Sequence, residues 1–439
     1  MVVNRGPQTA RNRRPRTARF WLAGVIERDG VIEPAWGGDR TMNAKHAIAI
    51  VGGGPAGALA GALLAAGGHD VHILDEKLAW EKPCGGGLTY KALQQYPFLT
   101  EASAESKTVE HCELISPSGQ RVRFRLQHPI AVFSRLALNG LLLERARSAG
   151  ANVQRERVTK IAGTPGDWQL VTPYSEYRAS FLLIAAGARN PFRGEFASQT
   201  SASDLMVTAG YFIPVRTSLM QIQFLHALSG YIWIFPRCDH VSAGIAGKMG
   251  ETSTRTLRHM LEHWLSENGF SLDGATFFSH ILPALRPQTM DALKVSGNGW
   301  AMLGDSAGLV DPITGEGLYY ALRSAELCAQ ALLAARPQDY KLRLEQEVLP
   351  ELRLAARVSS RFYRGQVFGD SVAERMVTLT AQSDSFRELM SDLFAGIQGY
   401  RDLKARLYRA LPSVMAEGLA KTLFRSWGAG NLTATPFAE

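Results

Sequence analysis

The first clear pattern in the chain is an apolar run that ends at a cluster of glycines. Ala47–Val51 is short and apolar and precedes the glycines directly, which is typical of a buried parallel strand. Ala58–Ala66 is rich in Ala and Leu and predicts a helix, and Val71–Leu74 predicts the next strand. A strand, a helix and a second strand in this order indicate a parallel sheet with a right-handed crossover.

The middle of the chain is richer in β-type segments, and its end is helical. A second, mostly antiparallel sheet is predicted from four runs: Val207–Val215, Gln221–Leu225, Tyr231–Pro236 and Val241–Ala246. The pattern then predicts three single elements, which are the amphipathic helix Ser253–Glu267, the buried strand Trp300–Leu303 and the long helix Glu316–Ala335. After Pro337 the predicted helices are Tyr340–Tyr363, Ser385–Ile397 and Tyr400–Leu411.

Composition and charge exclude several protein classes. The chain has 439 residues, 46% of them apolar, which is enough for a large core. It lacks an uninterrupted run of about 20 apolar residues, so the sequence predicts no membrane-spanning helix. The net charge is +8, but residues 1–41 contain eight Arg and four acidic residues, so the remainder carries only +4. This is an ordinary enzyme surface and predicts no nucleic-acid partner.

The Arg-rich leader and the cysteines are informative about the start of the protein and its cellular compartment. Residues 1–44 are interpreted as a disordered leader or a start placed too early, with Met42 as the true start; binding of a polyanion is the alternative. The four cysteines lie far apart with no metal-ligand spacing, and a disulfide scaffold is implausible at this size. A reducing cytoplasm fits this pattern.

The turn after the first strand carries a nucleotide-binding motif. It fits GxGxxG as Gly52-Gly53-Gly54-Pro55-Ala56-Gly57. The first Gly allows a tight turn, the second a close approach of backbone to a pyrophosphate, and the third close packing of helix on strand. Asp75 follows 18 residues beyond Gly57 at the end of the second strand, where a carboxylate can bind ribose hydroxyls, and Glu76 is the rival acid. Together these features favour dinucleotide binding over a plain glycine turn.

A second constellation follows the strand at Trp300–Leu303 and precedes a long helix. Its candidate cofactor-binding residues are Gly304, Asp305, Pro312, Gly315 and Gly317. A carboxylate at a strand end can bind a chain of hydroxyls, and glycines that open a helix bring backbone N–H groups near an electron-rich ring edge. The alternative is a capped turn with Asp311 near the cap position.

Five segments of the chain resemble a known family. The two nucleotide motifs are similar to the FAD-binding pattern of the p-hydroxybenzoate-hydroxylase-like flavoproteins, and Phe133-Ser134-Arg135 resembles the stretch in which their Arg contacts FAD. More narrowly, Lys82–Thr89 resembles the cysteine-glycine motif of the geranylgeranyl reductase family, and Tyr231–Pro236 matches its YxWxFP motif. The resemblance spans about residues 47–335.

The resemblance implies a fold and a domain division. The expected fold is α/β, with a Rossmann-type FAD-binding domain built on a parallel sheet, an inserted, mostly antiparallel β-sheet substrate domain and a C-terminal helical region. The expected FAD-binding domain is 45–335, made of about 45–110, 130–200 and 290–335. The insertions are about 111–129 and 201–289, and the helical region is 336–439.

The resemblance also implies a function and assigns site residues. It predicts an FAD-dependent oxidoreductase that saturates C=C bonds of an isoprenoid chain, by hydride from reduced flavin and a proton from Cys84, Tyr231 or water. Gly85, Gly86 and Gly87 let backbone approach a planar ring, and Arg135 contacts FAD. Tyr231, Trp233 and Phe235 share one face of a strand and are expected to form a substrate pocket; the alternative for them is core, and for Cys84 a small buried hydrophobe.

The alternatives concern the reductant and the reaction. Ala186–Arg193 lacks the Asp of the GADG-type motif of many relatives at Ala188, and no second complete GxGxxG exists, so NADPH and a ferredoxin-like donor protein both stay open. A flavin monooxygenase or halogenase shares the scaffold, but halogenases resemble one another in a GExTxP-like motif near where this chain has Cys84–Thr89. A lipid-binding protein without redox activity is the third alternative.

Two further patterns have a structural and a functional interpretation. His259-Met260-Leu261-Glu262-His263 fits HxxEH, but its helix carries a leucine packing stripe, so no metal site is predicted. The basic C-terminal helices either pack against the FAD-binding domain or rest peripherally on an anionic membrane. Their apolar and basic residues are Leu403, Leu407, Leu411, Leu419, Leu423, Phe424, Trp427, Arg401, Lys404, Arg406, Arg409, Lys421 and Arg425.

Overall fold

The computed structural model describes residues 47–101, 105–226, 228–367 and 369–410. The predicted leader at 1–44, Met42 and the predicted elements beyond residue 410 lie outside this part. In chain order the strands are β1 (Ala47–Val51), β2 (Asp70–Leu74), β3 (Gly87–Leu88), β4 (Ser106–Ile115), β5 (Arg121–Phe133), β6 (Asn152–Gln154), β7 (Lys160–Thr164), β8 (Asp167–Val171), β9 (Glu176–Ala179), β10 (Phe181–Ile184), β11 (Leu205–Ile213), β12 (Leu219–Phe224), β13 (Gly230–Pro236), β14 (Val241–Lys248), β15 (Thr276–Pro283), β16 (Ser296–Gly297), β17 (Trp300–Met302), β18 (Gln366–Val367) and β19 (Asp370–Ser371).

The helices alternate with the strands at first and dominate at the end. They are α1 (Pro55–Ala66), α2 (Tyr90–Gln95), α3 (Phe98–Glu101), α4 (Arg135–Ser148), α5 (Arg193–Phe196), α6 (Thr254–Glu267), α7 (Pro287–Asp291), α8 (Leu318–Leu333), α9 (Asp339–Glu347), α10 (Leu349–Arg364), α11 (Val372–Gln382) and α12 (Asp384–Ala395). Residues 400–410 are also helical, and short 3₁₀ turns lie at Ala202–Asp204 and Gly304–Ala307. Among the described residues no helix has both the length and the apolar character needed to span a membrane.

The first sheet has the order β16-β17-β10-β1-β2-β6 and is parallel except at the β16–β17 pair. All five residues of β1 are buried, as expected for a central parallel strand covered on both faces. The helices α1, α4 and α8 pack together beside it, and a three-stranded sheet of β7, β8 and β9 contacts β1 and β10. The predicted Rossmann-type sheet is confirmed.

The second sheet has the order β15-β11-β14-β13-β12-β4-β5-β3. Its pairs are antiparallel except for β12 with β4, so the prediction of a mostly antiparallel sheet is confirmed. Alternate residues of β13 separate its two faces: Ile232 and Ile234 pack with the apolar stripe of α6, which includes Leu257 and Leu261. The domain boundaries expected from the sequence stay a prediction.

Two predicted helices differ from the structure for local reasons. Tyr340–Tyr363 is not one helix, because Pro350 cannot donate a backbone hydrogen bond; α9 ends at Glu347 and α10 starts at Leu349. The long helix predicted from Glu316 starts two residues later, at Leu318. The preceding residues form a turn around Asp311, whose Oδ1 accepts the N–H groups of Ile313 and Thr314.

Candidate functional site

One cavity of about 1900 Å³ lies between the two sheets and the C-terminal helices. Both nucleotide motifs, the cysteine-glycine loop and the aromatic strand contribute to its wall. The predicted site residues that line it are Gly54, Pro55, Ala56, Asp75, Cys84, Gly85, Gly86, Gly87, Arg135, Tyr231, Trp233, Phe235, Asp305, Gly315 and Gly317. Four other predicted residues do not line it: Gly52, Gly57, Gly304 and Pro312.

The first nucleotide motif forms a tight turn beside Asp75. Gly52 has φ +104°, and a Cβ on Gly57 would lie 1.9 Å from the Gly52 carbonyl oxygen, so both glycines are needed for the turn itself. Asp75 accepts the Gly53 N–H at 2.7 Å through Oδ2. Its Oδ1 accepts the N–H groups of Lys77 and Leu78, which fixes the carboxylate at the end of β2.

Gly54 gives the clearest test of whether a dinucleotide fits. It lines the cavity, and a Cβ built on it would meet no atom within 4 Å. Gly54 is also the N-cap residue of α1, and no side chain caps the first N–H groups of that helix. Free helix N–H groups beside open space are suited to a pyrophosphate, so the residues present fit FAD here.

The second nucleotide motif faces the first across the cavity. Lys82 Nζ lies 3.4 Å from Asp305 Oδ2, and both side chains are largely buried. A Cβ on Gly317 would lie 3.1 Å from Asp305 Oδ1, so the glycine leaves room for that carboxylate at the start of α8. Asp75 and Asp305 therefore border the same space, as a single bridging cofactor requires.

The cysteine-glycine loop is held by a buried arginine from the end of β13. Arg237, which is 2% exposed, donates to the Cys84 carbonyl oxygen at 2.7 Å and forms an ion pair with Glu81. Glu81 in turn accepts the Ser134 hydroxyl at 2.5 Å and the Arg135 N–H at 2.9 Å, at the start of α4. Burial opposes ionisation of Glu81, but Arg237 and these hydrogen bonds hold the pKa of its carboxyl below its usual value.

Cys84 lines the cavity, and its thiol sulfur accepts a hydrogen bond from a backbone N–H of the same loop. Its Sγ lies 3.3 Å from the Gly86 N–H, and Ser242 Oγ donates to its carbonyl oxygen at 2.9 Å. Gly86 has φ +85°, and a Cβ there would lie 2.1 Å from the Phe133 carbonyl oxygen. The loop conformation thus requires glycine at residue 86 and directs the Cys84 side chain to the cavity wall.

The three aromatic residues of β13 also face the cavity. Trp233 is buried, whereas Tyr231 and Phe235 are half-buried, and Phe235 packs closely against Gly85 and Gly87. The Tyr231 hydroxyl donates to the Thr314 carbonyl oxygen at 2.6 Å. Burial, and then the charge of Asp311, raise the pKa of Tyr231.

An apolar compartment, which the sequence did not predict, continues the cavity toward the C-terminal helices. Its wall combines β12 with α10, α11, α12 and the helix at 400–410, and its apolar side chains are Met220, Ile222, Phe224, Phe362, Met376, Leu379, Phe386, Leu389, Met390, Leu393, Phe394, Leu403 and Leu407. Two sequence patterns could have indicated this compartment: the alternation of apolar residues along β12 and the apolar stripes of the C-terminal helices. Of the apolar and basic residues predicted on the C-terminal helices, Arg401, Leu403 and Leu407 line the cavity, and the residues beyond 410 lie outside the described part.

Two acidic residues near the second motif were not predicted as site residues. Asp311 is 3% exposed and accepts the Tyr400 hydroxyl at 2.8 Å as well as two backbone N–H groups. Glu316 lines the cavity, and its Oε1 accepts the Thr89 hydroxyl at 3.2 Å. Burial and the charge of Asp311 raise the pKa of Glu316 to about 7.

His280 on β15 is a further unpredicted residue in the cavity wall. Its Nε2 is buried and has no hydrogen-bond partner among the described residues. Burial, and then the positive charge of Lys82, lower the pKa of His280 to about 3, and Asp305 opposes the shift. The ring is therefore neutral near neutral pH.

The HxxEH segment lies on α6, away from the cavity. His259 and His263 are 72% and 75% exposed at their side chains. His259 pairs with Glu262 at 3.5 Å and His263 with Glu267 at 3.3 Å, while Glu262 also binds Tyr211 and Arg258. In the described ranges no group of three His, Cys, Asp or Glu side chains is placed to hold a metal ion.

Relatives and solved structures resemble the chain over most of its length. No protein-family model matches it. A geranylgeranyl diphosphate reductase of Synechocystis is 24% identical over 79% of this chain and 89% of that protein, and the chloroplastic enzyme of the same name from Arabidopsis thaliana is 23% identical over 76% and 78%. The chain is similar to geranylgeranyl reductases over most of its length.

Further matches agree with the fold. A menaquinone reductase of Mycolicibacterium smegmatis is 26% identical over 68% of this chain and 79% of that protein. A solved geranylgeranyl bacteriochlorophyll reductase-like protein of Thermoplasma acidophilum has a TM-score of 0.69 at 19% identity, covering 83% of this chain and 99% of that chain. A flavin-dependent brominase has a TM-score of 0.63 at 16% identity, covering 83% and 98%. The resemblance predicted from the motifs is confirmed.

Proposed function

We propose that this protein binds FAD and reduces isolated C=C bonds in an isoprenoid chain. The observation that carries the proposal is the continuity of the cavity, which joins the two nucleotide motifs to a long apolar compartment. Such a compartment suits a flexible hydrocarbon chain and excludes water from it. The names of the two geranylgeranyl diphosphate reductases agree with a substrate of this class.

The proposed cofactor contacts follow the two motifs. The N–H groups of α1 and the open face of Gly54 would hold the pyrophosphate, and Asp75 the ribose. Arg135, which is buried and binds Asn139, and Asp305 would contact the middle of the cofactor. The remaining proposed contacts are from Pro55, Ala56, Gly85, Gly86, Gly87, Gly315 and Gly317; Gly52, Gly57, Gly304 and Pro312 would shape the turns behind them.

The reaction requires a dry site as well as a reductant. Bound and reduced, the flavin supplies a hydride equivalent to one alkene carbon. An isolated alkene is a poor hydride acceptor, so the protein must also deliver a proton to the second carbon and keep water away. We place Cys84 and Tyr231 in contact with the reacting bond, and Trp233 and Phe235 along the adjoining chain.

The reductant that reloads the flavin is NADPH or a ferredoxin-like protein. Ala188 lines the cavity where many relatives carry an Asp, which weakens the case for direct reduction by NADPH. Anaerobic bleaching of the flavin by NADPH alone, compared with bleaching by a reduced ferredoxin, separates the two donors.

Mass spectrometry tests the proposed function directly. The purified holoprotein is reduced with dithionite without oxygen and mixed with polyprenyl diphosphates or a lipid extract; the control is the same protein kept oxidised. We expect products heavier by two mass units per reduced bond, formed as the flavin reoxidises. Oxygen consumption coupled to hydroxylated or halogenated product would support the monooxygenase or halogenase alternative. Purification of a colourless protein would support the lipid-binding alternative.

A further inference from the structure

Glu316 lies where the second nucleotide motif meets the cysteine-glycine motif. It belongs to the turn before α8, and its carboxyl accepts a hydrogen bond from the hydroxyl of Thr89, the last residue of Lys82–Thr89. Both residues line the cavity, as does Cys84 in the same loop. The Glu316 carboxyl is therefore at the boundary between the proposed flavin site and the proposed substrate site.

Asp311 and Glu316 have different hydrogen-bond environments. The Asp311 carboxylate accepts three hydrogen bonds, from the N–H groups of Ile313 and Thr314 and from the Tyr400 hydroxyl. Burial raises the pKa of Asp311, and these hydrogen bonds oppose that shift. Glu316 accepts one side-chain hydrogen bond at 3.2 Å. The Glu316 carboxyl therefore has fewer hydrogen bonds that oppose protonation than the Asp311 carboxyl has.

The groups around Glu316 act on its pKa in opposite directions, and those that raise it prevail. Burial has the largest effect on its pKa, followed by repulsion from Asp311, while the Thr89 hydroxyl and Lys91 on α2 oppose the shift. Tyr320 on α8 and Tyr400 on the helix at 400–410 also face it, and burial keeps both neutral because it raises their pKa values. At neutral pH a large fraction of Glu316 is therefore the neutral acid.

We propose that the carboxylic acid of Glu316 donates the proton that completes reduction of the double bond. The inference rests on the proposed function. The C=C π bond breaks as one carbon receives a hydride, with its two electrons, from the reduced flavin, which becomes oxidised. The other carbon takes the proton from Glu316 Oε, leaving a carboxylate that accepts the Thr89 hydroxyl until solvent returns a proton.

Glu316 is better suited to this step than Tyr231. The Tyr231 hydroxyl is committed to the Thr314 carbonyl oxygen, and burial raises its pKa further from neutrality. Proton transfer is most effective when the pKa of the acid lies near the working pH, which Glu316 meets.

The decisive experiment is a single-turnover pH profile. Dithionite-reduced holoprotein is mixed without oxygen with a saturating polyprenyl substrate, and flavin reoxidation is followed from about pH 5.5 to 9. We expect the wild-type rate to fall about tenfold per pH unit above about pH 7, because only the protonated acid reacts. This decline is called the high-pH limb of the profile. Glu316→Gln should be slower by about 10² or more below pH 7 and should lose that limb. Glu388→Gln, an exposed acid on α12 outside the cavity, should keep both rate and limb.

Two measurements keep the test valid if Glu316→Gln binds flavin poorly. Thr89→Val removes the hydrogen bond that favours the carboxylate, so the limb should move to higher pH, whereas Thr89→Ser should leave it in place. Infrared difference spectroscopy of the purified protein should show a protonated-carboxyl band that titrates near pH 7 and is missing in Glu316→Gln, without any turnover.

The outcomes separate the two proposals. Three results would overturn the role of Glu316 alone. Glu316→Gln could keep the wild-type rate and high-pH limb, or the limb could move only in Cys84→Ser or Tyr231→Phe. The third such result is a carboxyl band that persists in Glu316→Gln. A wild-type holoprotein that reduces no isoprenoid at any pH would defeat the proposed function instead.

Discussion

At the scale of single residues, the glycines of the first motif have separable tasks. Gly52 has φ +104°, and an added Cβ would lie 2.4 Å from the Ala185 carbonyl oxygen, whereas a Cβ on Gly54 meets nothing within 4 Å. Gly52→Ala should therefore lower the free energy of unfolding by about 1–3 kcal/mol. Gly54→Ala should change it by less than about 0.5 kcal/mol in flavin-free protein, yet reduce the bound flavin strongly.

The measurements are urea unfolding of flavin-free protein and the flavin-to-protein absorbance ratio. Because both variants add one methyl group within the same turn, each serves as the control for the other. A Gly54→Ala protein that retains full flavin would mean that the pyrophosphate does not approach this residue.

His280 makes stability depend on pH. Its pKa is lowered to about 3 in the folded protein, against an ordinary value of about 6.5 when unfolded. Between these pH values the unfolded chain binds the extra proton, so stability decreases as pH falls, by up to about 1.4 kcal/mol per pH unit from this group. His280→Gln should flatten the decline of the unfolding free energy from pH 6.5 to 4. The exposed His111→Gln should not, and equal slopes for the two variants would refute the burial argument.

At the scale of elements, Arg237 connects the end of β13 to the cysteine-glycine loop and the start of α4. Arg237→Met would leave Glu81 without its cationic partner, so the unfolding free energy should fall by about 3–5 kcal/mol at pH 7. The lowered pKa of Glu81 contributes stability above its unfolded pKa, and this contribution is lost as pH falls through the folded value; the difference between variant and wild type should thus shrink in acid. Urea unfolding at several pH values measures both effects.

The matched control for Arg237 is an exposed ion pair on the small three-stranded sheet. Arg178 lies 2.9 Å from Asp167, and both side chains are more than half exposed. Arg178→Met should cost less than about 1 kcal/mol. If the two arginine variants lost similar stability, the buried connection would not be what holds the loop.

The same element shows where sequence reasoning succeeds and where it ends. The YxWxFP strand and its inward face were predictable, because the alternation of side chains along a strand is local. The role of Arg237, the next residue, was not, because it depends on Glu81 and Cys84, which lie more than 150 positions earlier in the chain. The split of the predicted helix Tyr340–Tyr363 was readable in principle, since Pro350 stands inside it.

At the scale of the whole molecule, the cavity combines segments from almost the full described length. The turn after β1 and the turn before α8 could be placed together from the sequence, since the carboxyl ends of parallel strands share one edge of a sheet. The apolar compartment could not, because a stripe on α11 or α12 shows that one face is buried but not what covers it. Glu316 was missed for a related reason: its protonation depends on burial and on Asp311.

The length of the apolar compartment should set the length of the hydrocarbon that the protein accepts. Leu393 on α12 lines it beside Phe394, which packs on Phe124 of β5. Leu393→Trp fills part of this volume, so kcat/KM for a long polyprenyl substrate should fall by about 10-fold or more, while a short one such as a ten-carbon chain should lose less than about 3-fold. Leu342→Trp, an equal change at a residue that is 57% exposed on α9, should alter neither value. Parallel loss for both chain lengths, at unchanged flavin content, would mean that the hydrocarbon does not extend to α12.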